Sequence, residues 1–182
     1  KAANAELMLR YGFSLRGNRN ERLSRPEGAT SCAPGPMKVA LEMKGVMAEG
    51  MRPDEQRRVI IAVGSACGGL GDAADEDDWE LTEDDVAAEM AAANVLAQHW
   101  EGELRKFETN LSEDEALLTA ARGGNLPGST PNVTSAVEYR AERKRALAAA
   151  ARAMKAYVEW LGEDDDTEEE EVGTASGFVD QD

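Results

Sequence analysis

Apolar positions in the second half of the chain recur at spacings of four and three. Val86, Met90, Ala93, Ala97, Trp100, Leu104 and Phe107 form one stripe. Val133, Val137, Arg140, Lys144, Leu147, Ala151, Met154, Val158 and Leu161 form another. Both have the period of an amphipathic helix. The first helix starts at Thr82, where T-E-D-D supplies a cap and an acid three residues on, and Asn110 and Leu111 break it. Ser112-Glu113-Asp114-Glu115 restarts a short helix with a second capping box, ahead of a glycine-rich loop at 123–129. The last helix opens on Thr130-Pro131, a cap followed by a proline in the first turn, and stops at Gly162. Two long striped helices joined through a short one predict a helical bundle. Arg140, Lys144 and several alanines on the seam argue against a dimeric coiled coil, so the expected state is a monomer.

The first half alternates differently. Met37, Val39, Leu41 and Met43 face Lys38, Ala40 and Glu42 in a period of two, which predicts a half-buried strand. Val59 to Val63 has the β-branched content of a buried strand. Between them, R-P-D-E-Q-R-R is able to begin a short helix with Pro53 in its first turn. Residues 64–80 read as a flexible insertion. Gly69-Leu70-Gly71-Asp72-Ala73-Ala74 formally fits a dinucleotide fingerprint, but Asp72, Asp75, Glu76, Asp77 and Asp78 would repel a pyrophosphate. No Gly-Lys-Ser/Thr follows, and the spacing of a calcium loop is absent.

At the N-terminus, Asn4 is expected to cap a short helix, with Glu6 at the favourable end of the helix dipole. Leu7 and Tyr11 share a face. Gly12 ends the helix, and Phe13 and Leu15 alternate as at the start of a strand.

Charge narrows the function. The chain carries −16 overall, and the ten acids of residues 163–182, with no base among them, leave −6 for residues 1–162. Such a tail reads as a disordered, solvating segment. The negative field argues against a nucleic-acid surface, and no apolar run reaches the length of a membrane span. Cys32, Cys67 and His99 are the only residues of their kinds. They are too few for a disulfide framework or a zinc site, so no metal is expected and the compartment reads as reducing and intracellular. Nothing separates plastid from cytoplasm or nucleus. Arg16, Arg19, Arg22 and Arg25 read as a solvated loop, with contact to an acidic protein substrate as the functional alternative.

The opening residues carry a resemblance. N-A-E-L-M-L-R-Y-G-F (4–13) is similar to S-N-A-E-L-L-L-x-Y-G-F near the end of the SET domain, in the Rubisco large-subunit methyltransferase-like branch of protein methyltransferases. Downstream, Phe107, Thr109, Asp114, Glu115, Leu117 and Leu118 resemble the family's F-P-T-T-x-x-E-D-E-x-L-L, with Glu108 replacing the proline. Tyr139, Arg140, Lys144 and Leu147 resemble its Y-R-x-x-x-K-x-x-L. The three stretches follow the family's order.

The resemblance implies a mainly α chain: a helical-bundle substrate-binding domain (26–162) after a small α/β remnant of the SET domain (1–25), with an acidic tail at 163–182. It implies the C-terminal portion of an S-adenosyl-L-methionine-dependent protein-lysine N-methyltransferase whose partner is a protein carrying the target lysine. Tyr11 would line the lysine channel, and Tyr11, Gly12 and Phe13 would lie close to the cofactor. The family's catalytic tyrosine and its N-H motif precede this segment, so the chain reads as a fragment and none of its own residues is expected to be catalytic. The alternative is a non-catalytic helical protein-interaction module.

Overall fold

A computed structural model describes residues 2–13, 18, 21–68, 81–128 and 130–163. They form six helices: α1 (Asn4–Tyr11), α2 (Pro34–Met43), α3 (Pro53–Ala66), α4 (Glu83–Arg105), α5 (Leu111–Arg122) and α6 (Pro131–Leu161). The protein is mainly α, as expected. No strand occurs among the described residues. Phe13 has no regular structure, and Leu15 lies outside the described set, so the β part of the N-terminal remnant finds no counterpart there.

Both internal strand expectations are corrected to helices. In α2 the fully buried positions are Met37, Ala40 and Leu41, a spacing of three and four, while Met43 is 71% exposed. The apparent alternation arose from counting Ala40 with the polar residues. Pro34 and Pro36 sit in the first turn, where the missing N–H costs nothing. In α3, Val59, Ala62, Val63 and Ala66 are buried at helical spacing and Ile60 is 41% exposed, while Ile61, Gly64 and Ser65 are buried as well, so the last turns are enclosed all round. Pro53 opens that helix as expected, but the helix runs on through the β-branched residues. Burial against the bundle overrides their strand preference. Gly64, Ser65 and Ala66 are the buried end of α3 rather than the start of an insertion. Residues 69–80, with the Gly-Leu-Gly stretch, lie outside the described set.

The C-terminal half follows the sequence closely. Thr82 caps α4 in a reciprocal box with Asp85. The α5 box uses Asn110 and Glu113, two residues earlier than Ser112. Asn110 is one of the best capping residues, and Glu113 lies three positions after it. Thr130 caps α6 through the Val133 N–H, and Gly162 follows its last turn.

Helix α6 is the axle. It packs most extensively on α4, then on α3, α5, α2 and α1. Seven of its twelve buried residues are alanine, which lets neighbouring helices approach on more than one side. Trp100, Leu96, Leu147, Met154, Tyr157, Met37, Leu41 and Val59 fill the centre. Leu23 and Cys32, from the segment before α2, belong to the same core. The Trp100 indole N–H donates to the Ser24 carbonyl at 2.8 Å, and the His99 ring meets the Ser24 hydroxyl at 3.2 Å. His99 is therefore structural. The helix α2 has no side-chain cap of its own, and Glu89 of α4 takes the Ala33 N–H at 3.0 and 3.1 Å while accepting the Tyr157 hydroxyl at 2.8 Å.

Cys32 and Cys67 are free thiols near this carboxylate. Burial, and then the charge of Glu89, pushes both up to about 12. Little thiolate exists at neutral pH, and the thiolate is the nucleophile. Iodoacetamide at mildly alkaline pH should leave both nearly unlabelled in the native chain and label both after denaturation. Rapid native labelling of either would contradict this burial.

Candidate functional site

The N-terminal segment is held against α6 at both ends. Asn4 is not the cap expected from its type. Ala3 occupies the cap position without a side-chain bond, and Asn4 is the first helical residue, 5% exposed. Capping comes from a distance: the Asn4 N–H donates to Glu21 Oε2 at 2.8 Å. Asn18 Nδ2 donates to the Ala2 carbonyl and to Asn4 Oδ1, each at 3.0 Å. The other Glu21 oxygen accepts from Arg143 Nη1 at 2.9 Å, and the same nitrogen donates to the Arg22 carbonyl at 3.0 Å. A carboxylate at a helix N-terminus also meets the positive end of the dipole. Glu21 thus ties α1 to the middle of α6.

At its other end α1 meets the start of α6. Tyr11 is the last helical residue; its side chain lies outside the described set. Gly12 is left-handed, φ 71°, and its N–H donates to the Met8 carbonyl, a glycine helix stop as expected. A Cβ there would sit 3.5 Å from Asn132 Oδ1, in the first turn of α6. Phe13 follows, 43% exposed, and Leu9 is 88% exposed. With Asn4 linked to Arg143 and Gly12 beside Asn132, α1 runs antiparallel to the first part of α6. Four cavities along the bundle are lined by other residues than Gly12 and Phe13. The described residues supply one turn and one half-exposed ring, and do not by themselves form a cradle for a nucleoside-sized cofactor.

The second cluster joins α5 to α6. Asp114, fully buried, accepts from Arg140 Nε at 2.9 Å, Lys144 Nζ at 2.6 Å and the Thr109 hydroxyl at 2.9 Å. Lys144 is 3% exposed. It also donates to the Thr109 hydroxyl at 2.9 Å and to the Thr109 carbonyl, and lies 5.1 Å from the centre of the Phe107 ring. Burial alone would raise the Asp114 carboxyl. The bonds from Arg140, Lys144 and Thr109 outweigh it and hold the group down at about 2. Arg140 and Lys144, the two charges on the apolar stripe of α6, converge on Asp114 because α5 folds back alongside α6. Next to them, Arg145 pairs with Glu115 and Glu142, each at 2.6 Å.

A third feature was not signalled by any motif. Arg58 of α3 is 9% exposed and reaches Asp54 at 3.1 Å and Glu142 at 3.3 Å. Its Nε is the one buried side-chain nitrogen or oxygen without a partner among the described residues. It borders a cavity of about 20 Å³ shared with Asn4, Asn18, Glu21 and Tyr139, the size of one water site.

Arg25 bonds the Ser31 hydroxyl at 2.9 Å and the Ala29 carbonyl at 2.8 Å, so it organises its own loop. Arg16 and Arg19 lie outside the described set. No group of three or more His, Cys, Asp or Glu side chains is placed to hold a metal among the described residues, and no helix there is long and apolar enough to cross a membrane. Compared with known proteins, the chain matches no family model and no curated protein. What the fold itself defines is a class: an α-helical bundle built around one long central helix.

Proposed function

We propose that the chain is the substrate-docking portion of an S-adenosyl-L-methionine-dependent protein-lysine N-methyltransferase, with the Tyr11-Gly12-Phe13 turn contributing one wall of the lysine pocket. The observation that supports this reading is the Asp114 network. The two downstream stretches that resemble the Rubisco methyltransferase family were matched separately on the sequence. Their residues Phe107, Thr109 and Asp114 from one, and Arg140 and Lys144 from the other, meet in a single buried cluster. A joint role for the two stretches follows if they were kept together. The α1–Gly12 turn, docked on the start of the same α6, adds the third stretch to that unit.

In this reading the bound cofactor supplies the methyl group. The chemistry needs only a neutral lysine amine held in line with that group in a water-poor channel. The bundle's task is orientation: it fixes the α1 exit turn relative to the surface that grips the protein substrate. No residue of this chain forms a covalent intermediate.

The test is direct. Purified Lys1–Asp182 should transfer no methyl group from S-adenosylmethionine to any lysine-containing protein offered to it. The same chain extended upstream in its reading frame should do so, and the extension should encode the N-H motif and a tyrosine ahead of Lys1. Methylation by Lys1–Asp182 alone would overturn the proposed division of labour. An upstream sequence without those residues would leave a helical protein-interaction module.

A further inference from the structure

Cys32 and Cys67 belong to different parts of the chain and meet in the fold. Cys32 lies in the segment that leads into α2, and Cys67 follows the last turn of α3. The Cys32 N–H donates to the Ala66 carbonyl at 3.2 Å. On the other side of the pair, a Cβ on Gly68 would sit 3.3 Å from the Ser31 hydroxyl. The contacts of 32 with 66 and of 31 with 68 thus flank the two cysteines. Backbone bond lengths added to the 3.2 Å contact keep the Cys32 and Cys67 Cα atoms within about 7 Å of each other. A disulfide spans about 4.4–6.8 Å between Cα atoms. The side chains share their surroundings as well. Both thiols sense the Glu89 carboxylate and the Arg25 guanidinium, and charge on Cys67 opposes ionisation of Cys32. Cys32 is fully enclosed, whereas Cys67 is half-buried.

We propose that Cys32 and Cys67 are a redox modification site, which a low-molecular-weight disulfide such as oxidised glutathione converts into one intramolecular disulfide between the entry of α2 and the end of α3. The exchange balances in two steps. Cys67, the more accessible thiol, gives its proton to solvent and attacks one sulfur of the oxidant. The oxidant's S–S bond breaks, and its other half leaves as a thiolate that takes up a proton. Cys32 then loses its proton and attacks the Cys67 sulfur of the mixed disulfide, expelling the second half as a thiol. Two protein thiols have given up two electrons, and one small disulfide has become two thiols. Burial and Glu89 disfavour the thiolate, so both steps are slow. They act on neither the neutral thiols nor the neutral disulfide, so the equilibrium is set by geometry. Slow alkylation and a favourable disulfide therefore go together. The bond closes residues 32–67 into a loop that contains α2 and α3, the one pair of helices in substantial contact without α6. It restricts the unfolded chain and ties that pair together independently of the central helix. In a reducing pool the site stays open as two thiols, and a rise in small disulfides closes it. The site works in the same way whether or not the chain docks a methylation substrate.

The experiment is equilibration of the full chain with mixtures of reduced and oxidised glutathione at neutral pH, without oxygen, followed by an acid quench and mass spectrometry. The native chain should become a monomer lighter by two hydrogens, with the peptides that carry Cys32 and Cys67 joined. Starting both from the reduced chain and from a chain oxidised in urea and then refolded separates a slow reaction from a forbidden one. The two should converge on the same oxidised fraction. The glutathione ratio at half oxidation gives the effective concentration of one thiol toward the other. In the native chain it should exceed the value in urea by at least roughly tenfold, since a native disulfide that fits its fold stabilises it. The oxidised chain should also melt at a higher temperature than the reduced one. Glutathione held on each cysteine without a bond between them, oxidation confined to dimers, or an effective concentration no greater than in urea would each overturn the proposal.

Discussion

Asp114→Ala is expected to destabilise the chain by about 3–5 kcal/mol, the usual cost of removing one member of a buried charged cluster. The carboxylate is fully buried, and its loss leaves Lys144 inside the bundle with neutral partners alone: the Thr109 oxygens, the Asn110 carbonyl and the Phe107 face. The Arg140 side chain, about one-third exposed, is able to swing toward solvent; that of Lys144, buried, is not. The penalty therefore falls mainly on the lysine. Chemical denaturation would measure it as a lowered midpoint. Joint replacement of Asp114 by leucine, Lys144 by methionine and Arg140 by leucine should recover most of the loss, since apolar packing commonly replaces a buried ionic group without cost. A triple variant as unstable as Asp114→Ala would mean that the cluster acts through something other than charge compensation. The pH dependence has a defined sign. The Asp114 carboxyl titrates at about 2 in the folded chain, against 3.8 normally. Its contribution, about 2 kcal/mol by linkage, is fully present above the normal value and is lost as pH falls through about 2. The Asp114→Ala chain should lack that acid-sensitive component.

Trp100→Ala is expected to cost a similar about 3–5 kcal/mol, from the cavity and lost contacts of a fully buried indole. Its further effect is more informative. The indole N–H holds the Ser24 carbonyl, and Ser24 lies three residues after Glu21, the carboxylate that caps α1 and grips Arg143. Removing the indole should release the 21–24 segment and with it the N-terminal segment. Amide hydrogen exchange in α1 should accelerate more than exchange in the middle of α6. Trp100→Phe, which keeps most of the apolar bulk and loses the hydrogen bond, should show the α1 effect with a smaller global loss. Equal acceleration across all helices would place the tryptophan in the core alone and detach it from α1.

How much of this was legible depended on where the physical cause lay. The helices α4 and α6 were readable because stripe, caps and stops all agree within a few residues of chain. Thr82 with Asp85, and Thr130 with Pro131, announce themselves locally. The strands expected at 37–43 and 59–63 failed because short apolar runs fit either period. What decided between them was the alanine content, with Ala40, Ala62 and Ala66 all fully buried. An alanine counted as neutral hides a helical face. The α1 cap was misplaced for a different reason. Glu21 is 17 residues from Asn4 in sequence, and nothing local marks it as the partner. The Asp114 cluster was legible as two motifs and illegible as one network, because the pairing spans 30 residues and depends on the angle at which α5 returns. The helix stop at Gly12 was readable, since the conformation it adopts is close to a glycine monopoly.

The dominance of α6 has a consequence for how the chain comes to be folded at all. Apart from α2 on α3, every pair of helices in substantial contact includes α6. The earlier helices therefore have little to bury against one another while the chain is being made. Their apolar faces stay open on the ribosome until the last helix has emerged, and the bond from Arg143 back to Glu21 then closes a separation of 122 residues. Collapse is thus expected late: a chain stopped before Thr130 keeps, of the substantial helix contacts, only that of α2 on α3.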